Sequence, residues 1–331
     1  MQAVRSNHPP ARDVGDAAAD AVRGRAPPAE KRRRRGAPSE KTGALRLVFN
    51  LFKLRIGLVI AITALAGMAI QPGATLEGWQ VAVLFLAVLV SSASAGAFNQ
   101  YYEADLDRRM QRTRTRPFVT GRLAHHRGWP LLIAAMTALA VVAAWLAVNP
   151  YAALYTFLGG FFYAIVYTVW LKRRTWWNIV IGGLAGSFAV LAGAAAVTPG
   201  LSPEALLLAL ILFLWTPPHF WSLAIAFRDD YKAAKVPMLP VVKGDRFAGR
   251  AILAHAVVLV ALSLAMALLQ PGWIYLAFAS VGGWYFVKYA LRVAANPNRQ
   301  TAMQCFHASL IQLSLVLLGA MLDAAVRSAL G

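Results

Sequence analysis

Apolar residues gather into nine stretches, each near the ~20 residues an α-helix needs to cross a bilayer. They lie at about 46–70, 78–98, 131–148, 151–171, 177–197, 204–227, 251–269, 273–291 and 308–327. Only Asn149-Pro150 parts the third from the fourth, and only Gln270-Pro271-Gly272 parts the seventh from the eighth. Such Pro/Gly punctuation predicts tight turns between antiparallel helices. The predicted fold class is an all-α polytopic membrane protein with about nine transmembrane helices.

Charge in the connecting segments alternates. The loops at 71–77, 149–150, 198–203 and 270–272 contain no Lys or Arg. The other loops carry nearly all of them, from Arg108 to Arg127, Lys172 to Arg174, Arg228 to Arg250 and Arg292 to Arg299. The positive-inside rule then puts the N-terminus and these four basic loops in the cytoplasm and the C-terminus outside. An odd number of spans satisfies both ends.

Composition agrees. Of 331 residues, 59% are hydrophobic and 14% charged, with a mean hydropathy of +0.54. A soluble protein of this length carries about twice that share of charge. The net charge of +19 would suggest a nucleic-acid partner in a soluble chain. Here the basic loops are tied at both ends to membrane helices, which argues against one. The single cysteine, Cys305, excludes an internal disulfide and a thiolate metal cluster.

Residues 1–43 are Pro/Ala/Arg-rich, include the run Lys31-Arg-Arg-Arg-Arg35, and lack an apolar core. They are expected to form a disordered, basic cytoplasmic tail beside anionic lipid, ahead of a nine-helix domain at 44–331. Asp13, Asp16, Asp20, Glu30 and Glu40 suit a mitochondrial transit peptide poorly, so a bacterial plasma membrane is the expected location, with the mitochondrial inner membrane as the alternative.

Two polar clusters stand out at predicted cytoplasmic helix ends. In the first, Asn99, Glu103 and Asp107 recur at i, i+4 and i+8 on one helix face, followed by Arg112 and Arg116. The row spans ~12 Å of rise, too long for three side chains to close on one small ion. Hard oxygen ligands beside arginines suit Mg²⁺ ions holding a phosphorylated substrate, since Mg²⁺ takes one or two carboxylates plus phosphate oxygens. The second cluster, Arg228-Asp229-Asp230, ends the sixth segment four segments later, as an internal repeat of helix bundles would. Upstream lies Trp215-Thr-Pro-Pro-His219-Phe-Trp221, whose two prolines predict a kink and freed carbonyls. His219 within a membrane segment is a candidate for substrate contact or proton transfer, against a buried histidine bonded to a freed carbonyl. Tyr163 and Tyr167 share a helix face and line either a pocket or a packed interface. Trp79, Trp129, Trp176, Trp177 and Trp273 lie near segment ends, where interfacial anchoring explains them.

The chain resembles the UbiA superfamily of intramembrane prenyltransferases, and within it the branch that farnesylates haem. The resemblance rests on Lys53-Leu-Arg55, Asn99-xxx-Glu103-xxx-Asp107 and Arg112-Thr-x-x-Arg116-Pro117. Tyr163-xxx-Tyr167-Thr-xx-Leu-Lys172-Arg173 and Asn178-Ile-Val-Ile-Gly-Gly183 follow in family order. Thr216-Pro-Pro-His-Phe-Trp221 and Val236-Pro-Met-Leu-Pro240 single out the haem branch. Leu54 stands where the family usually has Pro, and Lys235 where Gly is usual; Ser187-Phe-Ala-Val190 lacks an expected proline. The second acidic cluster also lacks the superfamily's acids at i, i+4.

The resemblance implies a UbiA-type helix bundle and farnesyl transfer from farnesyl diphosphate to a vinyl group of haem b, with Mg²⁺ as cofactor. It implies Asn99, Glu103 and Asp107, then Asp229 and Asp230, as the catalytic Mg²⁺ ligands. Lys53, Arg55, Arg112, Arg116, Lys172 and Arg173 would hold the diphosphate, and Tyr163, Tyr167 and His219 would meet substrate. Asp105, off the Asn99 face, would orient an arginine. Membrane lipid and haem A synthase are the implied partners. A UbiA-type transferase acting on an aromatic or quinone-precursor acceptor is the rival within the class; a membrane transporter is the rival outside it. A transporter carries its ionisable residues near mid-bilayer, whereas these acids fall at the cytoplasmic rim.

Overall fold

The computed structural model describes residues 40–269 and 272–330, so most of the predicted basic tail lies outside the described residues. The described chain is helical throughout. The first apolar segment becomes α1 (Glu40–Leu51) and α2 (Leu54–Ile70), bent by 54° at a break beside Lys53. Lys53 adopts the left-handed conformation there, at φ 48°. The second segment is α3 (Gly78–Tyr102), followed by the short α4 (Ala104–Asp107) and α5 (Pro117–Thr120). Then come α6 (Gly128–Ala147) and α7 (Pro150–Phe161), which continues as a π-helix over Phe162–Leu171. The fifth segment divides into α8 (Asn178–Gly182) and α9 (Leu184–Val197), and the sixth is α10 (Pro203–Ala226). After α11 (Arg228–Ala233) and α12 (Leu239–Lys243), the chain ends in α13 (Asp245–Leu269), α14 (Trp273–Ala295) and α15 (Arg299–Leu330).

Each predicted segment thus corresponds to a helix or an interrupted helix. Seven helical stretches are long and apolar enough to cross a membrane alone, and the bent first pair makes an eighth. The ninth, α14, is 23 residues long but carries two Trp and three Tyr that lower its hydropathy. The chain is a multi-pass membrane protein. Several helices outrun their apolar cores: α3 extends to Tyr102, α13 starts at Asp245 and α15 at Arg299. Hydrophobicity marks only the lipid-crossing portion, while the backbone ladder carries on into the polar rim.

Successive long helices pack side by side from α2 to α15, and α15 returns against α2 and α10 to close the ring. Small residues set the tightest crossing. A Cβ on Gly193 would strike the backbone of Ala64, and one on Gly67 the backbone of Val190, so α2 and α9 touch main chain to main chain. Such close approach is how membrane helices gain packing where lipid tails give little hydrophobic drive. α10 continues as one helix through Pro217 and Pro218, where the sequence predicts a kink; Thr216 Oγ1 donates back to the Leu212 carbonyl at 3.1 Å.

Candidate active site

The ends of α3, α4 and the π-helix meet beside the α1–α2 break. The Glu103 and Asp107 amides donate to the carbonyls of Asn99 and Glu103 at 3.0 and 2.9 Å. The ladder therefore survives the joint at Glu103, and the predicted row stays on one face. All three side chains are buried, with residue exposures of 2%, 1% and 2%. A buried carboxylate needs a cationic partner, and each has one. Lys172 Nζ lies 2.5 Å from Glu103 Oε2, and Arg116 donates to Asp107 Oδ2 at 2.7 Å. Lys53 Nζ donates to Asn99 Oδ1 at 2.7 Å and to the Tyr163 hydroxyl at 2.9 Å.

The π-helix explains how one segment supplies so many of these groups. Its wider turn stacks Tyr163 on Tyr167, with ring centres 5.8 Å apart. It also lets the Thr168 hydroxyl reach back to the Tyr163 carbonyl at 2.8 Å while accepting from Asn99 Nδ2 at 3.1 Å. Isolated π turns recur at functional sites. Thr168 carries no sequence signal: under 3.6-residue periodicity it does not share the Tyr163 face. Gly96 gives the Lys53 stem its passage, since a Cβ there would sit 3.4 Å from Lys53 Cδ.

Two predicted diphosphate contacts lie elsewhere. Arg173 makes a two-point pair with Asp105 at 2.9 and 2.8 Å, and its guanidinium covers the Tyr102 ring at 5.4 Å. Burial pushes the Asp105 carboxyl up, but the Arg173 hydrogen bonds and charge outweigh it and hold it below its ordinary value. Asp105 thus orients an arginine, as its off-face position predicts. Arg55 is exposed and lines an outer groove of about 350 Å³ with Phe49, Leu54, Leu58 and Leu89, apart from the buried row.

The second cluster joins the first through the loop after α4. Asp230 Oδ2 accepts the Arg112 amide at 3.1 Å, and Thr113 Oγ1 donates to the Asp107 carbonyl at 3.2 Å. Leu106 and Met110 from the first half pack with Tyr231, Val236 and Met238 from the second. Arg228 pairs with Asp245 at 3.2 Å, and Asp229 is exposed. Lys235 has φ 56°, the left-handed conformation that explains why Gly is usual there.

His219 lies deeper, buried on α10. Its ring is sandwiched between Trp215 and Phe306, at 4.2 and 4.3 Å between centres, and Nδ1 is 2.8 Å from Ser309 Oγ. The freed-carbonyl partner foreseen for a structural histidine is thus a serine hydroxyl on α15.

Among the described residues, no three His, Cys, Asp or Glu side chains come together as a metal cluster. The donor set nonetheless fits Mg²⁺ that completes its shell with phosphate oxygens. Glu103 and Asp107 are adjacent hard carboxylates, and Glu103 Oε1 is buried without a protein partner. An orphan carboxylate oxygen of this kind calls for a ligand.

An all-helical membrane bundle with buried carboxylates, lysines and arginines gathered where α3, α4 and the π-helix meet has the build of an intramembrane enzyme. Residues 60–315 match the UbiA prenyltransferase family, and the chain belongs to that family. It is 54% identical over 282 residues to protoheme IX farnesyltransferase 2 of Paramagnetospirillum magneticum, covering 85% of this chain and 98% of that one. The same organism's protoheme IX farnesyltransferase 1 is 44% identical over 283 residues, covering 84% and 98%. Among solved structures, a digeranylgeranylglyceryl phosphate synthase superposes with a TM-score of 0.70 at 19% identity, over 85% of this chain and 99% of that chain. A UbiA homologue from Archaeoglobus fulgidus, bound to GPP and Mg²⁺, superposes with a TM-score of 0.65 at 16% identity, over 83% and 99%. These two establish the likeness of fold.

Proposed function

We propose that this protein transfers the farnesyl group of farnesyl diphosphate to a vinyl group of haem b, with addition of water, giving haem O and diphosphate. The observation that carries this is the 54% identity to a protoheme IX farnesyltransferase across 98% of its length. The C1–O bond of the donor breaks, and its electron pair leaves with diphosphate. The vinyl π pair forms the new C–C bond to C1; the cation left beside the macrocycle takes the oxygen of water, and a proton passes to solvent.

The residues suit that sequence of events. Lys53, Arg116 and Lys172 surround the Asn99–Glu103–Asp107 row, where they neutralise charge gathering on the leaving diphosphate. Asn99, Glu103 and Asp107 along the row, and Asp229 and Asp230 at a second position, would hold Mg²⁺ ions, which would add positive charge against the leaving diphosphate. Tyr163 and Tyr167 wall the pocket, and the lipid-embedded bundle keeps stray water from the allylic cation. Arg55, on the outer groove, meets the diphosphate of a donor arriving from the bilayer. Arg173 acts through Asp105, fixing the π-helix end against α4.

The positive-inside rule turns the rim toward the cytoplasm of a bacterial plasma membrane and the C-terminus outside. Haem O then serves as substrate for haem A synthase, the expected partner. The test is mass spectrometry of membranes or detergent-solubilised protein given haem b and farnesyl diphosphate. Farnesylated, hydrated haem that disappears with EDTA and in Asp107→Ala supports both the reaction and the metal. Folded, haem-supplied protein that makes no such product, yet prenylates an aromatic acceptor, overturns the haem assignment.

A further inference from the structure

Two arginines from opposite ends of the fold converge on one aromatic ring. The Arg112 guanidinium lies 5.7 Å from the centre of the Phe227 ring, and that of Arg299 lies 5.5 Å from the same centre. The two charges therefore stand no farther apart than the sum of those distances. Arg112 comes from the loop after α4, Phe227 joins α10 to α11, and Arg299 is the first residue of α15. Like charges repel, so such convergence invites an anion between or across them.

Both arginines are fixed by their backbones and left free at their heads. Asp230 accepts the Arg112 amide, not its guanidinium. Asn298 Oδ1 caps α15 by accepting the amides of Gln300 and Thr301 at 2.9 and 3.0 Å, which sets the position of Arg299. Among the described residues, the ion pairs engage Arg116, Lys172, Arg173, Arg228 and Arg327, and neither Arg112 nor Arg299 meets a carboxylate. Arg116 and Lys172 at the buried row each pair with a carboxylate; the Arg112 and Arg299 head groups do not.

We infer that Arg112 and Arg299 bind the two carboxylates of the haem acceptor at the rim, with the Phe227 ring beside them. This rests on the haem reading of the function. Paired guanidiniums suit two carboxylates, each able to take a forked hydrogen bond. The vinyl-bearing edge of protohaem lies opposite its carboxylate-bearing edge. Anchoring the carboxylates at the rim therefore turns the reacting edge inward, into the bundle. Arg299 is then a specificity-determining residue for the acceptor, supplied by the last helix; in the sequence it reads only as one of the positive-inside charges.

The test compares wild type with Arg299→Gln, Arg299→Lys and Arg112→Gln, using haem b and its dimethyl ester. Arg299 is exposed, so Arg299→Gln should melt like wild type. It should weaken haem b binding on the order of tenfold, read by absorption titration without donor and as a higher haem KM. The KM for farnesyl diphosphate should not move. The diester should bind wild type about as weakly as haem b binds Arg299→Gln, and Arg299→Lys should recover part of the loss. Wild type that binds haem b and its diester equally overturns the inference, as does an Arg299→Gln effect confined to farnesyl diphosphate, which would make the anion a diphosphate. If wild type turns over haem b and Arg299→Gln matches it throughout, this inference alone falls. If wild type does not prenylate haem b, the proposed function falls first.

Discussion

Lys172 Nζ sits 2.5 Å from Glu103 Oε2, and the two side chains are 12% and 1% exposed. The pair ties the end of the π-helix to the α3–α4 joint while leaving Glu103 Oε1 open. Removing one member of a buried ion pair strands the other and costs about 3–5 kcal/mol, whereas replacing both is far milder. Lys172→Met should therefore lower the detergent-state melting temperature markedly. Lys172→Met combined with Glu103→Gln should regain much of that stability without regaining prenyl transfer. Recovery of activity in the double variant would show that the pair serves structure alone.

Asp105 and Arg173 form the exposed counterpart of that latch, with side chains 52% and 36% open to solvent. Solvent screening limits such a pair to roughly 0.2–1 kcal/mol. The folded-state pKa of Asp105 is lowered, so its contribution is fully present above the ordinary carboxylate value and is lost as pH falls through the folded value. Thermal melts of wild type and Asp105→Asn should differ slightly at pH 7, and the gap should close in acid, below the usual carboxylate range. A gap that widens in acid would reverse the sign of the assignment.

The architecture was largely legible because lipid imposes a simple code: apolar length gives the spans, and Lys/Arg asymmetry gives one shared rim. The buried row was legible too, since i, i+4, i+8 spacing survives the joint at Glu103. Three features were not. The π-helix recruits Thr168 through a five-residue spacing that a 3.6-residue period does not reveal. The α1–α2 bend turns Lys53 inward while Arg55, two residues on, faces the outer groove, so adjacent basic residues part company. Arg112 and Arg299, almost 190 positions apart, reach the same Phe227 ring, a tertiary fact with no local signature.

Lys235 pays for a turn that glycine would make freely. At φ 56° its Cβ crowds the backbone, a strain of about 1–2 kcal/mol in the left-handed region. Its side chain is exposed. Lys235→Gly should raise stability by roughly 0.5–1 kcal/mol, after the glycine's larger unfolded-state entropy is set against the relieved strain. Turnover should be unchanged. A destabilised Lys235→Gly would mean that the lysine makes a compensating contact at the rim.

His219 separates packing from recognition in one side chain. Trp215 and Phe306 cover its ring, and Nδ1 is engaged by Ser309, so Nε2 is the polar atom left to meet a substrate. His219→Phe keeps the stack and removes Nε2. Ser309 stays satisfied, because its hydroxyl also donates to the Phe306 carbonyl at 2.7 Å, and the Ser309 carbonyl still accepts from Trp215 Nε1 at 2.8 Å. His219→Ala removes the stack as well and should cost about 3–5 kcal/mol, the range for truncating a large buried ring. His219→Phe should hold most of the stability yet weaken haem b binding on the order of tenfold in an absorption titration. Wild-type haem affinity in His219→Phe, with His219→Ala still unstable, would assign the histidine to packing of α10 on α15.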